Sequence, residues 1–132
     1  MFDLIYVIED DPITLVITEL IVKQNKAFGE VQKYVNGQEA YDTLLALQRQ
    51  EEVPDLILLD LNMPVMDGWE FLDAFSALQL PKEVCVCVLT SSIHPEDIEK
   101  SRGYKAVKGY FTKPLDGDAL EKMLGLANES KA

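Results

Sequence analysis

Five short, nearly continuous apolar runs, separated by stretches whose apolar residues recur at helical spacing, leave this chain few folds to adopt. The runs cover residues 4–8, 31–35, 56–59, 84–89 and 107–111. An apolar run of this length without alternation fits a strand buried on both faces, and strands that alternate with helices pair in parallel beneath helical layers. The segments between them supply the helices. Ile13, Val16, Ile17, Leu20 and Ile21 predict the core-facing side of a first helix, and Ala40, Tyr41, Leu44 and Leu45 that of a second. Trp69, Leu72, Phe75 and Leu78 mark a third stripe, and Leu115, Ala119, Leu120, Met123 and Leu124 a fifth. The fourth segment, 95–102, offers Ile98 as its only large aliphatic residue, so its helix is expected to be short and loosely docked.

Local signals agree. Asp11-Pro12 predicts an N-cap followed by proline at the first helical position, and His94-Pro95-Glu96-Asp97 opens the fourth helix with two acids near its positive end. Asn36-Gly37 and Asp67-Gly68 read as turn dipeptides. The second run mixes in Gln32 and Lys33 and suits an edge, whereas the first, third and fourth belong at the centre. The expected fold class is therefore α/β, a flavodoxin-like doubly wound (βα)5 with a five-stranded parallel sheet in the order 2-1-3-4-5. A single domain is expected over 1–132, with a tail over about 128–132; a chain this long buries roughly two-thirds of its unfolded surface without staples.

Charge narrows the function. The 23 acidic residues against 12 basic give a formal net charge of −11, and the basic residues form no run. Direct nucleic-acid binding and attraction to an anionic membrane are both disfavoured. No apolar stretch approaches the roughly 20 residues of a membrane span, and a cytoplasmic location is expected. Cys85 and Cys87 sit within the fourth run and read as buried, reduced core thiols.

In a doubly wound sheet, ligands gather beyond the carboxyl ends of the strands. The first strand ends in Glu9-Asp10-Asp11, the third in Asp60 followed by Leu61-Asn62-Met63-Pro64, the fourth in Thr90-Ser91-Ser92, and the fifth in Phe111-Thr112-Lys113-Pro114. The first and third strands should be neighbours, so Glu9, Asp10 and Asp60 converge. Two like charges about 4 Å apart repel by about 4 kcal/mol at an effective dielectric near 20. Lys113 and a hard divalent cation such as Mg²⁺ can offset that cluster, and carboxylates with one lysine and one hydroxyl suit phosphoryl transfer. Asp11 reads as a helix cap, His94 as an exposed helix-start residue, and Trp69 as packing.

These motifs together, in order and spacing, make the chain resemble the receiver domain of two-component response regulators. The resemblance covers nearly the whole chain. It implies that Asp60 accepts a phosphoryl group from the phosphohistidine of a sensor histidine kinase or a histidine phosphotransfer protein. It implies Mg²⁺, with Mn²⁺ as an alternative, held by Asp10, Asp60 and the backbone carbonyl of Asn62, with Glu9 reaching it through water. Thr90 then bonds the phosphoryl oxygens, Lys113 pairs with them, and Tyr110 turns inward as Thr90 moves. The Lys113-Pro114 peptide is expected to be cis, and Asn62 and Ser92 to influence the lifetime of the phosphoryl group. Such a chain is a switch, not a conventional enzyme, and acts on a downstream protein through contacts.

Rival readings fit less well. A haloacid-dehalogenase-type phosphatase needs an Asp-x-Asp pair after its first strand, and a flavin carrier needs phosphate-binding hydroxyls where this chain has acids. A receiver-like scaffold that is never phosphorylated, and one domain excised from a larger regulator, remain as alternatives.

Overall fold

The computed structural model describes residues 2–25, 28–47 and 53–131. In chain order the elements are β1 (Phe2–Ile8), α1 (Pro12–Gln24), β2 (Phe28–Tyr34), α2 (Gly37–Leu47), β3 (Leu56–Leu59), α3 (Gly68–Ser76), β4 (Cys85–Thr90), α4 (Pro95–Ser101), β5 (Val107–Thr112) and α5 (Gly117–Lys131). The strands form one parallel sheet in the order β2-β1-β3-β4-β5, as the sequence predicts. β3 and β4 are buried at every residue, while every residue of the edge strand β5 is partly or fully exposed.

Strand side chains alternate between two cores. Ile5, Val7, Leu56, Leu58, Cys85 and Cys87 face a layer that includes Val22 of α1 and Leu120, Met123 and Leu124 of α5. Tyr6, Ile8, Ile57, Leu59 and Val86 face Ala40 and Leu44 of α2 and Phe71, Leu72 and Phe75 of α3. Each such side chain contributes roughly 1.5–3 kcal/mol of burial. Cys85 and Cys87 are free and buried, as expected. At the opposite end of the sheet from the strand tips, buried Asp55 accepts hydrogen bonds from the Leu4 N–H and the Lys82 ammonium, tying β1 to the segments flanking β3 and β4.

Four expectations change. The stripe assigned to the core side of α1 lies mostly in solvent: Ile13 is 69%, Val16 52%, Ile17 46% and Leu20 56% exposed. Thr18 and Val22 are the buried positions, with Leu15 and Ile21 packed beside them. The helix is apolar on two sides, so periodicity alone could not choose between them; the small Thr18 lets the helix approach the sheet. Leu45 of α2 is likewise exposed. Asn36-Gly37 and Asp67-Gly68 are helix starts rather than free-standing turns. Asn36 Oδ1 accepts the Glu39 N–H, and Asp67 forms a capping box with Glu70. Finally, α5 continues to Lys131, so the expected tail is helical as far as that residue; Ala132 lies outside the described residues.

The fourth helix is short, as predicted, but it is not held by apolar packing alone. The Lys100 ammonium lies 4.5 Å from the Trp69 ring centroid, Trp69 stacks on Tyr104 at 6.1 Å, and the Tyr104 hydroxyl donates to Asp73 at 2.7 Å. A cation over an indole face is attracted by the ring quadrupole, a contribution that counting aliphatic residues does not register.

Candidate functional site

Parallel register brings the strand tips together. Ile8 pairs with Leu59 and Leu59 with Val88, so Glu9, Asp60 and the end of β4 emerge side by side. Backbone bonds extend the alignment past the strands: Glu9 N–H to Tyr34 O at 2.9 Å, Asp60 N–H to Ile8 O at 3.0 Å, and Lys113 N–H to Thr90 O at 2.9 Å. The Lys113–Pro114 peptide is cis.

Glu9, Asp10 and Asp60 each offer a carboxylate oxygen within 4.8 Å of the others. Glu9 and Asp60 are buried, at 3% and 4% exposure, whereas Asp10 is exposed at the rim. The Lys113 ammonium is bonded directly to Glu9 and lies 3.4 Å from Asp60 Oδ2. Glu9 also accepts the Asp11 N–H at 3.1 Å, and Asp60 Oδ1 the Asn62 N–H at 3.5 Å. Two buried carboxylates thus share one ammonium, with the Asp10 carboxylate close by and without that partner in the described contacts. An all-oxygen donor set with surplus negative charge and one solvent-facing side fits a hard divalent cation that keeps part of its water shell.

The other sequence-predicted residues stand nearby. Thr90 is fully buried, and its hydroxyl oxygen accepts the Ser92 N–H at 3.3 Å. Tyr110 is half-buried, and its hydroxyl donates to the Ser92 carbonyl at 3.0 Å. Asn62 is exposed just beyond Asp60. Asp11 caps α1, accepting the Thr14 N–H at 3.2 Å, and His94 is exposed without a side-chain capping bond, both as expected.

Burial pushes the Glu9 carboxyl up to about 7, against the lowering effect of Lys113 and the Asp11 N–H. Lys113 is raised: burial opposes its charge, but Glu9 and Asp60 outweigh that. Between the ordinary glutamate range and about pH 7 the folded protein binds more protons at Glu9 than the unfolded chain does, so stability falls as pH rises through that window. Metal-free protein is expected to lose on the order of 2 kcal/mol from this group between pH 4.5 and 7.5. Denaturant titrations on parent and Glu9→Gln check it: the variant should show a flatter pH slope, and identical slopes would refute the assignment.

Sequence reading missed the role of Gly68. A Cβ there would meet Asp60 O at 2.6 Å and Leu61 Cα at 2.7 Å. No glycine among the described residues has positive φ, so close approach rather than turn geometry is the reason for this one. The start of α3 therefore packs directly on the backbone that carries Asp60, sealed by the Gly68 N–H bond to Leu61 O at 2.9 Å. Gly68→Ala is expected to cost about 1–3 kcal/mol through overpacking, despite the better helix propensity of alanine. Its measured denaturation midpoint should fall; a rise would mean the contact relaxes freely. The only available signal was a glycine following a capping aspartate, which does not distinguish a turn from a tight contact.

Comparison with known proteins gives one answer. The family described as the response regulator receiver domain matches residues 5–125. The nitrate/nitrite response regulator protein NarL of Escherichia coli strain K12 is 30% identical over 120 residues, 91% of this chain and 52% of that protein. Sporulation initiation phosphotransferase F of Bacillus subtilis strain 168 is 31% identical over 106 residues, 77% of this chain and 79% of that protein. A crystal structure of a two-component response regulator from Cytophaga hutchinsonii superimposes with a TM-score of 0.89 at 30% identity, covering 97% of this chain and 98% of its own. The chain spans about half the length of the first curated relatives it matches.

Proposed function

We propose, from the premise that this chain belongs to the response regulator receiver domain family, that it is a signalling switch phosphorylated on Asp60 rather than a conventional enzyme. One observation carries the reading: a buried Asp60 carboxylate stands with the Glu9 and Asp10 oxygens within 4.8 Å and the Lys113 ammonium 3.4 Å away. An oxygen of Asp60 attacks the phosphorus of a phosphohistidine, an oxygen–phosphorus bond forms, and the phosphorus–nitrogen electron pair stays with the departing imidazole. Asp10, Asp60, the Asn62 backbone carbonyl and, through water, Glu9 are the groups to hold Mg²⁺ or Mn²⁺, which when bound supplies positive charge for the phosphoryl oxygens.

Lys113 supplies the protein's own cation. Its ammonium already spans Glu9 and Asp60, so a small swing places it on the incoming phosphoryl oxygens. Phosphorylation adds about −1.5 to −2 charges and three acceptor oxygens, which draw the Thr90 hydroxyl toward them. Tyr110, whose hydroxyl rests on the loop after β4, follows as that loop moves. The surface of α4 and β5 then differs between two states, and a downstream protein reads the difference.

The chain works in the cytoplasm, and its donor is a sensor histidine kinase or histidine phosphotransfer protein. The exposed Ile13, Val16, Ile17 and Leu20 support docking of a protein donor, because they present an apolar strip on the helix that leaves the acidic site. Intact-mass spectrometry after incubation with acetyl phosphate and Mg²⁺ tests the reading. One phosphoryl adduct is expected, removed by hydroxylamine as an acyl phosphate must be and absent when EDTA replaces Mg²⁺. Absence of any adduct with acetyl phosphate, and with a panel of phosphorylated histidine donors, would favour the unphosphorylated scaffold.

A further inference from the structure

Ser92 joins three parts of the molecule that the switch reading treats separately. Its N–H donates to Thr90 Oγ1 at 3.3 Å, and its carbonyl accepts the Tyr110 hydroxyl at 3.0 Å. Its own hydroxyl donates to Asp97 Oδ2 at 2.6 Å and accepts the His94 N–H at 3.4 Å. The bond to Asp97 is the shortest of the four and the only one made to a charged group, so it is the strongest. Asp97 belongs to the first turn of α4, and its backbone is fixed there by an N–H bond to His94 O at 3.0 Å.

We propose that Asp97 is a positioning residue that acts through Ser92 to hold the loop between β4 and α4 in its resting arrangement. The inference rests on Asp60 being the phosphoryl acceptor. While the Asp97 carboxylate grips the Ser92 hydroxyl, the Ser92 N–H stays on Thr90 and the Ser92 carbonyl stays on Tyr110. Drawing Thr90 toward a phosphoryl group pulls on that same residue, so the grip of Asp97 opposes activation. A group that favours the resting state must weaken the binding of whatever favours the other state, by the same factor.

A plainer role for Asp97 is to place negative charge at the helix N-terminus. Two substitutions separate the roles. Asp97→Asn removes the charge but keeps an oxygen for the Ser92 hydroxyl; Glu96→Ala removes a first-turn acid that is bonded to neither Ser92 nor Thr90.

The test uses the whole chain and two measurements. Amide hydrogen exchange without metal reads the loop directly: Asp97→Ala should speed exchange at Ser92 about tenfold, with Asp97→Asn giving a smaller increase and Glu96→Ala staying near the parent. Calorimetric titration with beryllium fluoride in the presence of Mg²⁺ reads the coupling: Asp97→Ala should bind this phosphoryl mimic about tenfold more tightly. Ser92→Ala cuts the same bond from the other side, so it serves if Asp97→Ala folds poorly, and the double variant should add nothing. Unchanged exchange at Ser92 in Asp97→Ala, an equal effect from Glu96→Ala, or weaker beryllium fluoride binding would each overturn the proposal. Failure of the parent to bind beryllium fluoride would instead remove the acceptor reading, and the exchange result would still decide whether Asp97 holds the loop.

Discussion

Asp60→Asn is expected to reduce phosphoryl incorporation from acetyl phosphate to the labelling background while raising the stability of the metal-free protein. The first effect is chemical. An amide oxygen is a poor nucleophile, and an acyl phosphate needs a carboxylate oxygen that asparagine does not have. The second effect is electrostatic. Asp60 is 4% exposed and shares Lys113 with Glu9, so two buried carboxylates compete for one ammonium while Asp10 adds a third negative charge within 4.8 Å of them. Taking away one buried like charge leaves Lys113 to Glu9 alone, worth about 1 kcal/mol or about 4 °C in Tm for a domain of this size. Radiolabel incorporation and thermal melts, run side by side on parent and variant, check both halves. Label retained on Asp60→Asn would reject the acceptor assignment, and a lower Tm would show that Asp60 holds the loop more than it strains the site. Gain of stability on loss of a functional group is what a site built on uncompensated charge should give.

Lys113→Met should be the most destabilising single substitution at the site, by about 3 kcal/mol at pH 8. The aliphatic stem is matched in volume, so the change isolates the ammonium. Without it, Glu9 and Asp60 are left facing each other with no cation from the protein in the described contacts. At pH 5 the cost should shrink, because the Glu9 carboxyl, already pushed up to about 7 by burial, takes a proton and the repulsion ends. Denaturant midpoints at the two pH values measure the difference, and millimolar Mg²⁺ at pH 8 should return part of the loss by replacing the missing charge. A loss of equal size at both pH values, insensitive to Mg²⁺, would mean that Lys113 acts through packing of its stem and that the charge argument is wrong.

Much of this molecule was legible before any coordinates. Strand positions followed from apolar runs too short for helices and too continuous for half-exposed strands, and their order followed from the polar residues in β2. The meeting of Glu9, Asp10, Asp60 and Lys113 was a consequence of that order, since residues one step beyond aligned parallel strands must share one rim. Helix rotation was a different matter. α1 carries apolar residues on two sides, and only the packed structure shows that Thr18 and Val22 face the sheet while Ile13, Val16, Ile17 and Leu20 face outward.

Sequence by itself determined the architecture and the membership of the acidic site, because period and strand order act on every residue of a run and tolerate local exceptions. Tertiary structure alone decided which side of α1 faces outward, that Gly68 must lack a side chain, and that Asp97 reaches Ser92. Those three outcomes depend on distances of a few ångströms between elements remote in the chain or on the rotation of one helix. Neither quantity leaves a periodic trace in the order of the amino acids.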